Sequence, residues 1–73
     1  MRLSELWVLL EQEFGRGYAA VVAEQQVLAS LGGRTVDQAL ADGEQARRVW
    51  EAVVRDLHVP PEHHFLPEPP RRD

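Results

Sequence analysis

Hydrophobic residues recur at steps of three and four along most of the first sixty positions, which is the period of an amphipathic helix. The first apolar run predicts a helix over about residues 5–14, with Ser4 as its N-cap and Gly15 as its end. The apolar face of this predicted helix carries Leu3, Leu6, Trp7, Leu10 and Phe14.

The second apolar run predicts a longer helix over about residues 18–31. Gly32 and Gly33 follow it, and glycine closes a helix C-terminus readily because it adopts the left-handed conformation without a Cβ clash. The stripe expected to face the core consists of Tyr18, Val21, Val22, Gln25, Leu28 and Leu31.

A short third helix is predicted over about residues 36–41. Thr35 and Gln38 have the spacing of a capping box, in which the hydroxyl and the amide each bond a backbone N–H of the first turn. The residues expected to be buried here are Val36, Ala39 and Leu40.

The fourth helix is predicted over about residues 44–58, after a break at Asp42 and Gly43. Glu44 is expected in its first turn, where the helix dipole favours a negative charge, and Pro60 ends it shortly after His58. Its apolar stripe comprises Ala46, Val49, Trp50, Val53 and Leu57, and Glu51 and Arg55 have the spacing of an i,i+4 ion pair.

These patterns predict an all-α protein, a compact bundle of three to four short helices. With 73 residues, of which 44% are hydrophobic, the chain has room for one core only. We expect a single helical domain over residues 1–61 and a flexible, proline-rich tail over residues 62–73.

Composition narrows the possible functions. The formal net charge of −4 opposes non-specific attraction to nucleic acid phosphates. The absence of cysteine rules out disulfides and zinc sites built on thiolates. Glu5, Glu11 and Glu13 interrupt the N-terminal apolar run, so the sequence predicts no signal peptide and no membrane contact, and a cytoplasmic location.

Several short motifs together resemble one known family. They are the start Met1-Arg2-Leu3-Ser4-Glu5-Leu6-Trp7, the residues Phe14, Gly15 and Tyr18, the segment from Leu31 to Leu40, and finally Val49, Trp50 and Ala52. Over about residues 1–60 this pattern is similar to a small actinobacterial family, domain-of-unknown-function family 3046. The resemblance implies a helical cytosolic protein without assigned catalysis. It also implies a gene neighbourhood with the DNA strand-exchange recombinase and its regulator, and hence a link to DNA repair.

The sequence contains few residues that could act in catalysis. Cysteine and lysine are absent, and Ser4 and Thr35 are explained as helix caps. We therefore predict no enzyme and no cofactor. His58, His63 and His64 are metal-ligand types, but they lack the spacing of a ligand set, so we predict polar loop residues around Phe65 and Leu66, and no metal site.

Arginines are the candidate partner contacts. Arg34 follows the glycine pair at a helix start, where it either holds an anion or, as we favour, bonds back to a nearby acid or helix end. A helix-turn-helix protein, in contrast, would use Arg34, Arg47, Arg48 and Arg55 to contact nucleic acid, but acids share the fourth helix with these cations.

Apolar residues outside the main stripes point to a different partner. If Val8, Leu9, Val27 and Val54 cluster beside a tryptophan, they form a patch of the kind that marks a protein interface or a homodimer. The function favoured by the sequence is a non-catalytic module for protein–protein interaction or regulation. The alternative is a weak, helix-turn-helix-like nucleic-acid binder.

Overall fold

The computed structural model describes residues 1–64, and their fold is helical throughout. Four α-helices follow in order: α1 (Leu3–Phe14), α2 (Arg16–Gln25), α3 (Val36–Ala41) and α4 (Ala46–Asp56). Two short 3₁₀ turns, Ala29–Leu31 and Pro61–His63, complete the described part. The predicted all-α fold is confirmed.

Helix α1 begins two residues earlier than predicted. Arg2 is the residue before the helix, and its backbone N–H donates to Glu5 Oε1 at 2.7 Å. Ser4 therefore lies inside the first turn and is not the N-cap, because Glu5 N–H and Leu6 N–H already donate to Arg2 O. The buried face consists of Leu6, Leu9 and Leu10, whereas Leu3 is 53% exposed.

Helix α2 ends at Gln25, six residues before the predicted end at 31. The chain then forms a closed loop over residues 28–34, which we call the 28–34 loop. Leu28 N–H donates to Arg34 O, and Gly33 N–H donates to Leu28 O, both at 3.0 Å. These hydrogen bonds pair backbone N–H and C=O groups within the loop, and the loop buries both Leu28 and Leu31. Tertiary packing therefore outweighs the helical spacing of the apolar residues in this part of the sequence.

The buried face of α2 also differs from the predicted stripe. Ala19, Val22 and Ala23 enter the core, whereas Tyr18 is 55% exposed and Val21 is also exposed. The sequence allowed both faces, because small alanines lie on one side and larger apolar residues on the other. Helix α1 packs against α2, and the small alanine side chains allow the two helices to approach each other closely.

Helix α3 has the predicted bounds and the predicted cap. Thr35 Oγ1 accepts from Gln38 N–H at 3.1 Å, and Thr35 N–H donates to Gln38 Oε1 at 2.9 Å. Val36 and Ala39 are buried, and Leu40 is half-buried.

Helix α4 is shorter than predicted at both ends. Glu44 precedes it, because Gln45 is the residue at its N-cap. The helix ends at Asp56, four residues before Pro60, so the prolines do not end it. It ends there because His58 adopts a left-handed conformation (φ 54°) and Val59 N–H donates to Val54 O at 3.2 Å. This is the hydrogen bond of a Schellman motif.

Residues 57–64, here called the return segment, fold back onto the helices. Val59 is 5% exposed, and Trp50 Nε1 donates to His64 O at 3.0 Å. His63 and His64, which the sequence analysis placed in the tail, thus contact the helical body. Residues 65–73, with the rest of the predicted tail, lie outside the described residues.

The core lies where all four helices and the 28–34 loop meet. Helix α1 packs against α2 and α4, and the 3₁₀ turn of the loop packs against α4. The largest fully buried side chains are Leu6, Leu9, Leu10, Leu28, Leu31, Val36, Val49 and Val53. Within residues 1–64, no helix has the length and apolar character needed to cross a bilayer.

Candidate functional site

Arg34, the first candidate contact, is half-buried and makes two side-chain hydrogen bonds and a further ion pair. Its Nε donates to Leu31 O at 2.8 Å, its Nη1 donates to Asp42 Oδ2 at 3.0 Å, and its Nη2 lies 3.6 Å from Glu44 Oε1. Of the two alternatives from the sequence, this arrangement corresponds to bonding back to a nearby acid and a helix end. Arg34 joins the 28–34 loop to the connection between α3 and α4.

Glu44 extends the Arg34 contacts to a second candidate, Arg48. Glu44 Oε2 has almost no solvent exposure and lies 2.6 Å from Arg48 Nε, in an ion pair whose orientation is not that of a hydrogen bond. Asp42, Arg34, Glu44 and Arg48 therefore alternate in charge along one surface ridge. Because Arg34 and Arg48 are paired with acids, they present less positive charge to an anionic partner.

Arg47 and Arg55 lie on the exposed side of α4. Arg47 Nε is 3.9 Å from Glu51 Oε1, so Glu51 pairs with Arg47 and not with Arg55 as predicted. Arg48 and Arg55 line a shallow groove of about 190 Å³, together with Ser30, Glu51 and Ala52. Arg47 lines a different groove.

The histidines have separate partners. His63 Nδ1 lies 2.5 Å from Glu13 Oε2, and His64 Nε2 donates to Val59 O at 2.7 Å. His58 is exposed at the end of α4. Across residues 1–64, no three histidine or carboxylate side chains converge as they would around a metal ion.

A bidentate contact between Ser30 and Asp56 was not foreseen from the sequence. The Ser30 hydroxyl donates to Asp56 Oδ1 at 2.7 Å, and the Ser30 backbone N–H donates to Oδ2 at 2.8 Å. The two bonds tie the 28–34 loop to the C-terminal end of α4. They hold the pKa of the Asp56 carboxyl below its ordinary value, with smaller contributions from the charges of Arg55 and His58.

The lowered pKa of Asp56 predicts a pH-dependent contribution to stability. Because the folded carboxyl has the lower pKa, its contribution is present above the unfolded pKa of about 4 and is lost as the pH falls through the folded value. Asp56→Asn should lower the free energy of unfolding at neutral pH, and the difference from wild type should shrink on acidification. Urea unfolding from pH 7 to about pH 3 measures both effects.

Glu24→Gln is the matched control, because Glu24 is an exposed carboxylate of α2 that lies outside the 28–34 loop. Its stability should follow that of the wild type across the same pH range. A constant difference between Asp56→Asn and wild type at all pH values would contradict the role assigned to the Asp56 charge.

The apolar patch predicted from the sequence has a different composition in the structure. Leu9 is buried and Val54 is half-buried, so both contribute to the core. Val8 and Val27 are exposed as predicted. The structure adds Met1, Leu3, Tyr18 and Val21 to the large hydrophobic side chains that are more than a third exposed.

Tyr18 and Val21 form the clearest feature among these exposed residues. They are three positions apart on α2, on the side away from Ala19, Val22 and Ala23. The outer face of α2 is the name used below for this pair. The sequence pattern that contains this pair is the apolar stripe of the second predicted helix, which the sequence analysis assigned to the core.

A second apolar surface lies where the start of α1 meets the α3–α4 connection. It is a groove of about 510 Å³, and its lining residues are Met1, Leu3, Leu40, Glu44, Gln45, Ala46 and Arg47. Leu40 and Ala46 are half-buried, while Met1 and Leu3 are about half exposed.

Comparison with known proteins gives one match. Neither a curated protein nor a solved structure shows significant similarity to the chain. The family described as "Protein of unknown function (DUF3046)" matches residues 1–62, which include all four helices and most of the return segment. The chain therefore belongs to the DUF3046 family.

Proposed function

We propose that the protein is a non-catalytic module that binds a protein partner through the outer face of α2. The observation that carries this proposal is the exposure of Tyr18 (55%) beside Val21 (37%) on a helix whose opposite side is fully packed. A tyrosine that presents its ring to solvent supplies large contact area with few rotatable bonds, as interface hot spots do.

The surroundings of this pair support the same proposal. Glu24 and Gln25 of α2 and the adjoining Gln26 are exposed, so polar groups border the apolar pair. An apolar centre with a polar border is the usual anatomy of a transient protein interface. In such a small domain, these two side chains could have contributed to the core, but the fold leaves them exposed.

The structural roles of the hydroxyl groups support the absence of catalysis. The Thr35 hydroxyl caps α3, and the Ser30 hydroxyl donates to Asp56, whose lowered pKa makes its carboxylate a weak base. Both described grooves are open, and no histidine lines either of them.

The setting of the interaction is part of the proposal. The family resemblance suggests an actinobacterial cytoplasm and a partner in the machinery of DNA repair. A protein partner agrees with the alternating charges around Arg34 and Arg48, because nucleic-acid binding calls for unpaired cations on one face.

Site-specific photocrosslinking tests the proposed interface. A photoreactive amino acid at position 21 of the full chain, expressed in an actinobacterial host, should capture one protein, whereas the same group at the exposed Gln12 of α1 should not. With the captured protein purified, Tyr18→Asp should weaken binding by at least about tenfold, as expected for an interface anchor.

Val8→Asp is the matched control, because Val8 is an apolar residue of similar exposure on α1. It should leave the affinity within about twofold of the wild type. Equal capture from positions 12 and 21 would refute the α2 interface. Capture that nuclease treatment abolishes would also refute it, and would favour a nucleic-acid complex.

A further inference from the structure

The outer face of α2 lies between two side chains of opposite charge. Arg16 is the first residue of α2, and Glu24 is the last but one. The Arg16 side chain is 94% exposed, and its Nε lies 3.6 Å from Glu11 Oε2 in an ion pair open to water, which contributes little to stability. None of the ion pairs among residues 1–64 includes Glu24, which is also exposed. Both charges are therefore available to a second molecule.

The exposed surface between these two charges is apolar. Tyr18 and Val21 lie there, and Ala20 between them is exposed as well. Arg16, Ala20 and Glu24 follow one another at intervals of four residues, so they share one side of the helix. The exposed side of α2 is thus positive at its start, apolar in the middle and negative near its end. A second copy of this helix, placed antiparallel, brings opposite charges together at both ends.

One antiparallel register satisfies both the charges and the apolar pair. With a two-fold axis at Ala20, Arg16 of each copy lies opposite Glu24 of the other, because both are four residues from the axis. Tyr18 precedes Ala20 by two residues and Val21 follows it by one. The Tyr18 ring of one copy therefore lies one helical step, about 1.5 Å, from the level of Val21 of the other. The small side chain at the axis allows the two helices to approach each other closely.

We propose that a second copy of the chain binds the outer face of α2 in this antiparallel register when the protein partner is absent. This inference rests on the proposed function, because the second copy and the protein partner compete for Tyr18 and Val21. Helix α2 has ten residues and is about 15 Å long, so the contact is smaller than a standard stable interface of about 1,600 Å². The dimer is therefore weak, and a tighter protein partner displaces the second copy.

Sedimentation equilibrium of the purified full chain, from about 10 μM to about 1 mM, tests this proposal. The wild type should change from monomer to dimer as its concentration rises. Arg16→Glu and Glu24→Arg should each raise the dissociation constant of the dimer at least about tenfold, because each variant places like charges opposite each other at both ends. An equimolar mixture of the two variants should restore the dimer, because one copy then presents two carboxylates and the other two guanidinium groups.

Glu62→Arg is the matched control, because it reverses the charge of an exposed glutamate in the return segment, outside α2. Its net charge equals that of Glu24→Arg, so a general effect of net charge would alter both variants alike. The dissociation constant of Glu62→Arg should stay within about twofold of the wild-type value, since the substitution leaves both ends of the α2 contact unchanged.

The two proposals on α2 fail in different experiments. A wild type that stays monomeric up to the highest concentration would overturn self-association, and so would a mixture of Arg16→Glu and Glu24→Arg that stays monomeric. Neither result touches the capture of a protein partner from position 21. If position 21 captures only peptides of the chain itself, and the charge-reversed mixture dimerises, the proposed function is refuted while self-association is supported.

Discussion

Truncation of Leu28 to alanine is expected to lower the free energy of unfolding by about 2–5 kcal/mol. Leu28 is fully buried and sits at the start of the 28–34 loop, not in a helix. Its removal leaves a cavity between the loop and the helices, and the loop's internal hydrogen bonds restrain it from collapsing into that space.

Such a loss approaches the whole stability of a small domain, which is about 5 kcal/mol. Circular dichroism during urea unfolding measures it. Val27→Ala is the matched control, because the adjacent side chain is 64% exposed, and it should change the free energy of unfolding by less than about 0.5 kcal/mol. A loss for Leu28→Ala as small as that of the control would contradict the place of the loop in the core.

The second large effect is expected at Trp50. Trp50→Ala should lower the free energy of unfolding by about 3–5 kcal/mol, because Trp50 is 3% exposed and packs in the core. The same substitution removes the donor to His64 O and so releases the return segment.

Trp50→Phe separates these two contributions. It keeps a large aromatic ring but leaves the His64 carbonyl without the indole donor, and a lost hydrogen bond costs about 1 kcal/mol. Glu51→Ala, an exposed neighbour on α4, is the control for helix propensity. Equal losses for Trp50→Phe and Trp50→Ala would assign the whole effect to the hydrogen bond and contradict the packing argument.

The elements that the sequence predicted well are those governed by local interactions. Thr35 and Gln38 cap α3 through bonds between residues three positions apart, and such a signal is complete within four residues. The breaks at Gly15 and Gly43 were predicted for a similar reason, since each has a positive φ.

The elements that the sequence predicted poorly depend on distant residues. Helix α2 ends early because the 28–34 loop packs against α4, and Ser30 bonds Asp56 from 26 positions away. No pattern within residues 18–31 reports this contact. The core face of α2 was misassigned because hydrophobicity alone favours Tyr18 and Val21, whereas close packing against α1 favours Ala19 and Ala23.

Site prediction had a similar limit. The sequence offered an anion site or a structural bond for Arg34, and its contacts with Asp42 and Glu44 follow the second alternative. Arg47, Arg48 and Arg55 are exposed on α4 and stay candidates for partner contact.

The return segment has a consequence for how the chain is made. Helices α1 and α2 are neighbours in sequence and can pair as soon as they leave the ribosome, whereas His63 meets Glu13 across fifty positions. During synthesis, the C-terminal end of α1 and the indole of Trp50 therefore stay uncovered until residue 64 has emerged. For that interval the nascent domain presents an apolar surface that the finished protein conceals, and chaperones bind surfaces of this kind.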